Sequence, residues 1–426
     1  MKRTVLQMLF DAEKRYAEKP FVQVKGDGGW IQTSYREAAE ASRCFARSLV
    51  RLGLSRNDTV AILSEGSENW VIGELGVLLA GCISVPLSIK LLPEEIPFRI
   101  NHSESKAILV SRNTIERVLS VWDKMENGNL VLIYLDTDPS PVRELAAEHG
   151  LIEGKGFLVF RDMMEAGRGL TGAEEQEVAR RIDKTAEDDV VTICYTSGTT
   201  GNPKGIMLTH LNYFANCRDS VTLFDIPEGY RTLLILPRDH SFAHTVGIYA
   251  ALFKGILLSF VDSRGGAMAT LRNIPININE TDPDFLLTVP ALSGNFMKKI
   301  VAGVEEKGGF ALWLFRKGLR AGIRYHGNGF NRPPFITRLF AVIPYRLADS
   351  LVFSRVRKMF GTRLKFCVGG GALLDVKQQE FFSAIGMPIF QGYGLTEAAP
   401  VISSNTIARH KFGSSGIVAP TVTCRI

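Results

Sequence analysis

Short apolar runs that each end at a turn signal constrain this chain most strongly. The runs "TVAIL" (59–63) and "ISVPL" (83–87) flank the helical segment "NWVIGELGVLLAG", and together they predict a β-α-β unit. The pattern recurs in "VVTICY", "RTLLILP", "FLLTVP", "RLKFCV" and "MPIFQ". Strands that are apolar along their whole length are typical of parallel sheets covered on both faces. The sequence therefore predicts an α/β fold.

A helix with an N-terminal capping box is predicted within "TSYREAAEASRCFARSLVRLGL". Ser34 and Glu37 have the spacing at which each can bond the backbone of the other, and Gly53 ends the periodic pattern. The apolar face is predicted to contain Ala38, Phe45, Leu49 and Leu52. The segments around 150–190, such as "EGKG" and "EAGRGLTGAEEQE", are polar and glycine-rich, so we expect them to be surface connections.

Length and composition exclude several classes of protein. A chain of 426 residues with 46% hydrophobic and 22% charged residues is long enough for two or three globular subdomains. The six cysteines are far apart and form no C-x-x-C pair, which favours reduced thiols in a cytoplasmic protein over disulfides or a zinc site. The first residues do not form the apolar core of a signal peptide, and charged residues or proline interrupt the two most apolar stretches.

Positive charge is concentrated between Lys298 and Lys365. This segment contains fifteen Lys and Arg against three acids, so it carries about +12, whereas the whole chain carries +6. Two interpretations remain open: a face that lies on an anionic bilayer or binds an amphiphile, or a solvated helical insert whose aromatic residues are core. Nucleic-acid binding is disfavoured because no recognised RNA or DNA module accompanies the charge. The aromatic and large apolar residues concerned are Phe310, Trp313, Leu314, Phe315, Phe330, Phe335, Phe340, Tyr345 and Phe353.

Loops of unusual composition follow four of the predicted strands. The loop "TSGTTGNPKG" follows "VVTICY", "RDHSFAH" follows "LLILP", "GGGALL" follows "RLKFCV", and "GYGLTEAAP" follows "MPIFQ". Ligands of open α/β sheets bind outside the carboxyl ends of the strands. We therefore predict that the four loops form one composite site.

The first of these loops is suited to a polyphosphate. Gly198, Gly201 and Gly205 let backbone N–H groups approach an anion closely, and Lys204 supplies a mobile positive charge. The loop is not a Walker A motif, because Pro203 precedes the lysine and no hydroxyl follows it. Since "GIMLTH" is typical of a second short strand, we expect the loop to join a hairpin. An ordinary flexible loop is the alternative. Hydroxyl donors are supplied by Thr196, Ser197, Thr199 and Thr200.

The motifs "YTSGTTGNPKG" and "GYGLTEAAP", in this order, resemble those of the adenylate-forming superfamily, which includes acyl-CoA synthetases, nonribosomal adenylation domains and firefly luciferase. The segment "RLADSLVFSRVRKMFGTRLKFCVGGGALL" resembles the long-chain fatty acyl-CoA synthetase branch. The resemblance covers nearly the whole chain. It implies the large N-terminal domain of the adenylate-forming fold, with layered α/β subdomains and a small β-barrel-like subdomain.

The resemblance also implies a division of the chain into parts. It predicts a first α/β subdomain at 1–185, a second at 186–400 that contains the basic insert 298–365, and the start of a β-rich subdomain at 401–426. The sequence stops at Ile426, before the family's ribose-binding aspartate, its hinge and its small C-terminal domain with the catalytic lysine. We therefore expect the chain to be truncated, able to bind ATP, and impaired in turnover.

The resemblance further implies roles for individual residues. Lys204, Thr396, Glu397 and His240 would be catalytic, with Thr396 at the α-phosphate and Glu397, together with Thr196, at Mg²⁺. Gly370, Gly371 and Ala372 would form one wall of the adenine slot, and Gln391, Gly392 and Tyr393 the other, with the tyrosine ring stacked on the base. The residues around the β- and γ-phosphates would be Thr196, Ser197, Gly198, Thr199, Thr200, Gly201 and Lys204.

Simpler interpretations stay open for three of these residues. Tyr393 could be an ordinary core residue, and Glu397 a solvated loop acid. His240 would line the acyl pocket, but Arg238 and Asp239 replace the residues that the family usually has before it. His240 and His244 also have the spacing of two metal ligands on a helix, although no third ligand is evident beyond Asp239.

The predicted function is ATP-dependent activation of a long-chain fatty acid to acyl-AMP, followed by thioester formation with coenzyme A. ATP, Mg²⁺ and coenzyme A are the implied cofactors and substrates, and no nucleic-acid partner is expected. A non-catalytic nucleotide or acyl binding module, or an acyl-acyl-carrier-protein synthetase, is the alternative. The predicted location is the cytoplasm, with a possible peripheral membrane contact through 298–365.

Overall fold

The computed structural model describes residues 2–196 and 202–425. The chain forms two compact units: unit 1 consists of 1–217 and 237–255, and unit 2 of 218–236 and 256–426. This division differs from the predicted one, because residues 186–217 and 237–255 pack within unit 1 and not with the segment that follows them.

Unit 1 contains a β-hairpin, an eight-stranded sheet and the helices around it. Its strands are β1 (Pro20–Gly26), β2 (Gly29–Ser34), β3 (Thr59–Leu63), β4 (Ile83–Pro86), β5 (Ala107–Val110), β6 (Val131–Tyr134), β7 (Ile152–Glu153), β8 (Gly156–Val159), β9 (Val190–Thr196) and β10 (Lys204–Thr209). Its helices are α1 (Val5–Tyr16), α2 (Tyr35–Arg51), α3 (Glu68–Leu79), α4 (Ile96–His102), α5 (Arg112–Leu119), α6 (Ser140–Glu148), α7 (Phe160–Arg168), α8 (Ala173–Lys184), α9 (His210–Leu223, which has residues in both units) and α10 (Ala250–Lys254), with a π-helix at Ala243–Tyr249.

The strand order of the eight-stranded sheet is β10-β9-β4-β3-β5-β6-β8-β7. Strands β3 and β4 pair in parallel across α3, which confirms the predicted β-α-β unit. Every residue of β3 and β5 is buried, as expected of strands covered on both faces. Strand β10 runs antiparallel to β9, so the two strands form the hairpin that was predicted on either side of the loop "TSGTTGNPKG".

The capping box of α2 is present as predicted. The Ser34 hydroxyl accepts a hydrogen bond from the Glu37 N–H, and the Glu37 carboxylate accepts one from the Ser34 N–H. Ala38, Phe45 and Leu49 are buried, as the pattern predicts. Leu52 is not, because the helix ends at Arg51 and Leu52 lies at the cap with 37% of its surface exposed.

The prediction of surface connections at 150–190 was wrong for most of that segment, which forms α7 and α8. Helix α7 packs against α2 so closely that a Cβ on Gly167 would lie 1.9 Å from the Cys44 carbonyl oxygen. One of the two buried residues of α8 is charged: Arg181 donates hydrogen bonds to the carbonyls of Ala80 and Leu54. Because a buried position is occupied by an arginine whose donors are bound by carbonyls, the sequence lacks the apolar periodicity that indicates a helix.

Unit 2 contains a sheet with the strand order β17-β16-β15-β14-β13-β11-β12. Strands β11 to β15 are mutually parallel where they pair, and β16 and β17 add antiparallel strands beside β15. The strands are β11 (Arg231–Leu234), β12 (Leu257–Phe260), β13 (Phe285–Thr288), β14 (Phe366–Gly369), β15 (Ile389–Gly394), β16 (Val401–Ser404) and β17 (Ile417–Val418).

The basic insert of unit 2 is helical. Its helices, with the others of the unit, are α11 (Gly266–Thr281), α12 (Pro290–Lys307), α13 (Gly309–His326), α14 (Phe335–Ala348), α15 (Ser354–Arg357) and α16 (Val376–Ala384), with a π-helix at Asp349–Phe353. Where the sequence predicts the start of a β-rich subdomain, β16 and β17 extend the sheet of unit 2. Among the described residues, no helix combines the length and apolarity needed to cross a membrane.

A buried histidine in unit 1 makes the stability of the fold sensitive to acid. His210 is 4% exposed, and its Nδ1 accepts a hydrogen bond of 3.2 Å from the Val5 N–H. Burial lowers the pKa of His210 to about 4, with Asp189 acting in the opposite direction. The unfolded chain takes up this proton near the ordinary histidine pKa of about 6.5. The neutral form therefore stabilises the fold fully above that pH, and this contribution is lost as the pH falls towards about 4.

We predict that the unfolding free energy falls less in His210→Asn than in the wild type between about pH 6.5 and 4, and that the two drops differ by roughly 3 kcal/mol or less. The asparagine does not titrate and keeps an acceptor for the Val5 N–H. Urea unfolding of both proteins across this range measures the difference. His149→Asn is the control, because His149 is exposed. Equal pH profiles of the wild type and His210→Asn would show that His210 does not titrate in this way.

Candidate active site

The β9–β10 hairpin in unit 1 carries the flanks of the predicted phosphate loop. Thr196 and Lys204 face each other as the last paired residues of the two strands, and Lys204 is exposed. Ser197, Gly198, Thr199, Thr200 and Gly201 lie outside the described residues. The hairpin therefore brings the threonine hydroxyl and the lysine ammonium to the base of the same loop.

Tyr195 anchors the end of β9. Its hydroxyl is 2.8 Å from Nδ1 of His102 and donates a hydrogen bond of 3.3 Å to the carbonyl of Arg99. Burial raises the pKa of Tyr195. Across the hairpin, a Cβ on Gly205 would lie 2.9 Å from the Ile193 side chain, so the glycine permits close packing at this position. The strand ends that carry Thr196 and Lys204 are thus fixed by contacts outside the loop.

The glycine-rich turn after β14 begins inside the sheet of unit 2 and ends at its surface. The N–H of Gly370 donates to the Thr288 carbonyl on β13, at 3.1 Å, and Gly370 is buried. Gly371 has φ +78°, a value that favours glycine, and both Gly371 and Ala372 are exposed. The turn therefore presents a stretch of backbone with little side-chain cover, which suits close approach of a flat ligand.

Gln391 connects this turn to the next strand. It is 4% exposed, its Oε1 accepts from the Leu374 N–H at 2.6 Å, and its Nε2 lies 3.4 Å from the Ala372 carbonyl and 2.6 Å from that of Gly392. Strand pairing also places Gly369 opposite Gln391. The side chain of Gln391 is thus committed to holding the turn at 370–374 beside β15, and only its backbone is left to line a slot.

Tyr393 extends from the end of β15 with 52% of its surface exposed. It is paired with Ser403 of β16, while Gly392 pairs with Ser404. The interpretation of Tyr393 as an ordinary core residue is therefore wrong. An exposed ring beside a glycine-rich turn is the arrangement that base stacking requires.

Thr396 and Glu397 lie on a single helical turn at Thr396–Ala398. The turn is closed by hydrogen bonds from the Leu395 N–H to the Pro400 carbonyl and from the Ala399 N–H to the Thr396 carbonyl. A Cβ on Gly394 would lie 2.0 Å from the Pro400 carbonyl oxygen, so only glycine fits there. Thr396 is half-buried and Glu397 is exposed, so the carboxylate can meet a ligand or remain solvated.

The structure thus assembles two groups of predicted residues, one in each unit. Unit 1 contains Thr196, Lys204 and His240. Within unit 2, parallel pairing of β14 with β15 places the predicted walls of the adenine slot at neighbouring strand ends. That all of these residues serve one site remains a prediction. The residues of unit 2 are Gly370, Gly371, Ala372, Gln391, Gly392, Tyr393, Thr396 and Glu397.

His240 and His244 have different environments and do not act as a ligand pair. The His240 side chain is 70% exposed, with Nε2 4.0 Å from the Asp239 carboxylate. The His244 ring is fully buried, with Nε2 2.5 Å from Oε1 of Glu74 and Nδ1 3.0 Å from the Arg238 carbonyl. Both nitrogens of His244 are therefore occupied. No group of three or more potential metal ligands occurs in the described part of the chain.

The buried charges around His244 were missed as a unit. Glu74 is 1% exposed at its side chain, and burial lowers the pKa of Arg238 to about 10, although Asp239 and Glu65 act in the opposite direction. The signal in the sequence was a glutamate in the middle of the apolar helix α3 and an arginine directly after the apolar run "LLILP". Because His244 binds the Arg238 carbonyl, this cluster fixes the turn that carries His240.

Comparison with known proteins identifies the family. The model of the AMP-binding enzyme family matches residues 9–426. The chain therefore belongs to this family of adenylate-forming enzymes, and the curated relatives are acyl-CoA ligases. A long-chain-fatty-acid–CoA ligase of Rattus norvegicus is 26% identical over 437 residues, which cover 99% of this chain and 56% of that protein. Fatty acyl-CoA synthetase A of Dictyostelium discoideum is 28% identical, with 94% of this chain and 54% of that protein covered.

A solved structure shares the fold. The crystal structure of an anthranilate–CoA ligase in complex with anthranoyl-AMP matches with a TM-score of 0.67 at 17% identity, covering 99% of this chain and 66% of that one. This match confirms the α/β architecture as that of the adenylate-forming fold. The chain spans about half the length of the curated relatives it matches.

We predict that Glu74→Ala lowers the free energy of unfolding by about 1–3 kcal/mol, because it leaves the buried His244 ring with one nitrogen unpartnered. The double variant Glu74→Met/His244→Phe should recover part of this loss, since the apolar pair needs no partner and only the hydrogen bond to the Arg238 carbonyl is lost. Urea unfolding measures both. The control Glu116→Ala, an exposed acid on α5, should change the free energy by no more than about 0.5 kcal/mol. A loss for Glu74→Ala as small as that of the control would contradict the role assigned to the pair.

Proposed function

We propose that this chain belongs to an enzyme that activates a long-chain fatty acid with ATP, releases pyrophosphate, and then transfers the acyl group to coenzyme A. The observation that carries the proposal is in unit 2. There an exposed tyrosine, a bare glycine turn and a turn bearing Thr396 and Glu397 follow two adjacent parallel strands. The family match and the long-chain ligases among the relatives support the reaction class.

In this proposal the protein aligns and neutralises charge and performs little covalent chemistry. The fatty-acid carboxylate attacks the α-phosphorus of ATP, and pyrophosphate leaves as the acyl-adenylate forms. Lys204 and the Thr196 hydroxyl, together with Ser197, Gly198, Thr199, Thr200 and Gly201, bind the β- and γ-phosphates. Thr396 donates to the α-phosphate, and His240 positions the carboxylate of the acid. The relative crystallised with anthranoyl-AMP supports an adenylate intermediate.

The adenine slot in this proposal lies between two backbone surfaces. Gly370, Gly371 and Ala372 form one wall, and Gln391 and Gly392 line the other through their backbone, since the Gln391 side chain is used to hold the turn. The Tyr393 ring stacks on the base.

The residues present fit a magnesium ion bound mainly by the nucleotide. Mg²⁺ takes one or two protein oxygens and completes its shell with phosphates and water. The exposed Glu397 carboxylate is a donor of this kind, and the proposal adds the Thr196 hydroxyl. The described residues contain no larger cluster that would form a cage by itself. When bound, the metal offsets the negative charge of the triphosphate. The remaining partners in the proposal are the fatty acid, coenzyme A and a peripheral membrane contact through 298–365.

The direct test uses the whole enzyme to which this chain belongs and measures exchange of labelled pyrophosphate into ATP, which depends on the first step alone. We predict exchange that requires both a long-chain fatty acid and Mg²⁺, and that is lost in Glu397→Ala because the metal is no longer held. Glu306→Ala is the control, since Glu306 is also an exposed acid of unit 2. ATP binding in calorimetry without any exchange would contradict the enzymatic proposal and favour a non-catalytic binding module.

We predict that Tyr393→Ala weakens ATP binding roughly 5- to 150-fold, which corresponds to the about 1–3 kcal/mol of stacking one base on an aromatic ring. Tyr393→Phe keeps the ring and should bind nearly as well as the wild type. Titration calorimetry with MgATP, and with Mg-triphosphate as a ligand without a base, measures the effect. Equal losses for both ligands, or a loss in Tyr393→Phe as large as in Tyr393→Ala, would contradict stacking.

A further inference from the structure

Helix α14 presents a continuous apolar face to solvent. Its large apolar side chains lie within an arc of about 140° around the helix axis. Their exposed fractions range from 47% at Leu347 to 78% at Phe335. An exposed apolar face of this extent marks an interaction site, because single apolar residues on a surface are common but contiguous ones are not. The residues of this α14 face are Phe335, Ile336, Leu339, Phe340, Ile343 and Leu347.

A basic groove lies beside the α14 face. It runs between α13 and α14, has a volume of about 880 Å³, and is lined on the α13 side by Trp313 and by a row of cations. Phe340 of the α14 face forms part of the opposite wall. The cations are spaced so that they share one side of the helix and are all exposed. They are Arg316, Lys317, Arg320 and Arg324.

Most of this charge is not neutralised within the protein. Arg316 pairs with Glu305 at 3.1 Å, and Lys317 lies over the Trp313 ring, 4.7 Å from its centroid. Arg320 and Arg324 have no carboxylate within salt-bridge distance in the described part of the chain. The segment 298–365 as a whole carries about +12. The groove therefore attracts anions, and its positive charge repels the same groove of a second copy of the chain.

The side of α13 opposite the cations packs against the rest of unit 2. Phe315 packs against Phe353 and Phe381, with ring centroids 5.7 and 6.2 Å apart. A Cβ on Gly318 would lie 2.0 Å from Cβ of Ala348, so the two helices are in close contact at this end. The α13–α14 hairpin is thus a fixed platform, and its exposed side is not covered by its own core.

We propose that the α13–α14 hairpin docks on the surface of an anionic lipid bilayer. The α14 face enters the boundary between headgroups and acyl chains, and the cations of the groove meet lipid phosphates. A bilayer is the occupant that satisfies both features, because it offers negative charge and an apolar layer a few ångströms apart. A soluble polyanion satisfies the groove alone. This docking rests on the membrane contact named in the proposed function and assigns it to one hairpin, but it requires neither ATP nor turnover.

The test is cosedimentation of the chain with vesicles, without nucleotide. We expect binding to phosphatidylcholine vesicles that contain phosphatidylglycerol, loss of this binding at high salt, and little binding to phosphatidylcholine alone. The variant with Arg316, Lys317, Arg320 and Arg324 changed to Gln should bind anionic vesicles about several hundredfold more weakly, from about fivefold per cation. The matched control removes four exposed lysines of unit 1 in the same way and should retain binding: Lys14, Lys106, Lys124 and Lys155.

A second variant separates docking from simple charge attraction. Phe335→Ser/Phe340→Ser/Ile343→Ser keeps every charge and should also lose binding to anionic vesicles, whereas its binding to heparin should not change. A spectroscopic readout accompanies it: the emission of Trp313, obtained as the difference between the wild type and Trp313→Phe, should shift to the blue when anionic vesicles are added.

Three results would overturn the proposal. One is equal sedimentation of wild type and the four-Gln groove variant. Another is full vesicle binding by the apolar-face variant, which would make the interaction one of charge alone. The third is a dimer of the wild type in lipid-free ultracentrifugation that the apolar-face variant does not form, which would assign the face to a second copy. Because all readouts lack ATP, their failure leaves the pyrophosphate-exchange test unaffected.

Discussion

Parallel pairing of β14 with β15 is the constraint on which the candidate nucleotide site depends. The register sets Gly369 opposite Gln391, so the turns that follow the two strands leave the sheet side by side. The buried Gln391 amide then fixes the first turn by binding the Leu374 N–H. The sheet and the Gln391 amide hold the turns in place. Gly371 and Tyr393 can therefore stay exposed, where a ligand can contact them, without being packed into a core.

In unit 1, a buried polar pair holds the turn that carries an exposed candidate residue. Glu74 and His244 form a buried pair, and His244 also binds the carbonyl of Arg238, which lies in the turn that carries the exposed His240. A pair of this kind contributes little net stability compared with apolar packing, but removing one partner is strongly destabilising. The pair therefore acts mainly to specify the course of the chain around His240. In both units, buried polar groups determine where an exposed candidate residue is placed.

The sequence predicted best what depends on local patterns. The strands predicted from apolar runs, the α2 capping box and the β9–β10 hairpin follow from local residues, and all of these are present. Helix α8 was missed because a buried Arg181 takes a place in the apolar stripe that marks a helix. Helix α7 was missed because the glycine-rich, polar composition around Gly167 was given more weight than its apolar residues Phe160 and Met163. The pairing of Glu74 with His244 joins residues 170 positions apart and leaves no local pattern. In the basic insert, Phe315 and Phe353 are core, whereas Phe335 and Phe340 are exposed, and contact with a membrane stays a prediction.

The central claim is a proposal: one ATP molecule is bound by the loop between β9 and β10 and by the strand end at Tyr393. Photolabelling with two ATP analogues tests it directly, one reactive at the base and the other at the γ-phosphate. The account predicts that the base probe labels a peptide containing 389–397 and the phosphate probe a peptide containing 195–205, with both labels competed by the same concentration of MgATP. Labels at other peptides, or competition at clearly different ATP concentrations, would contradict a single site.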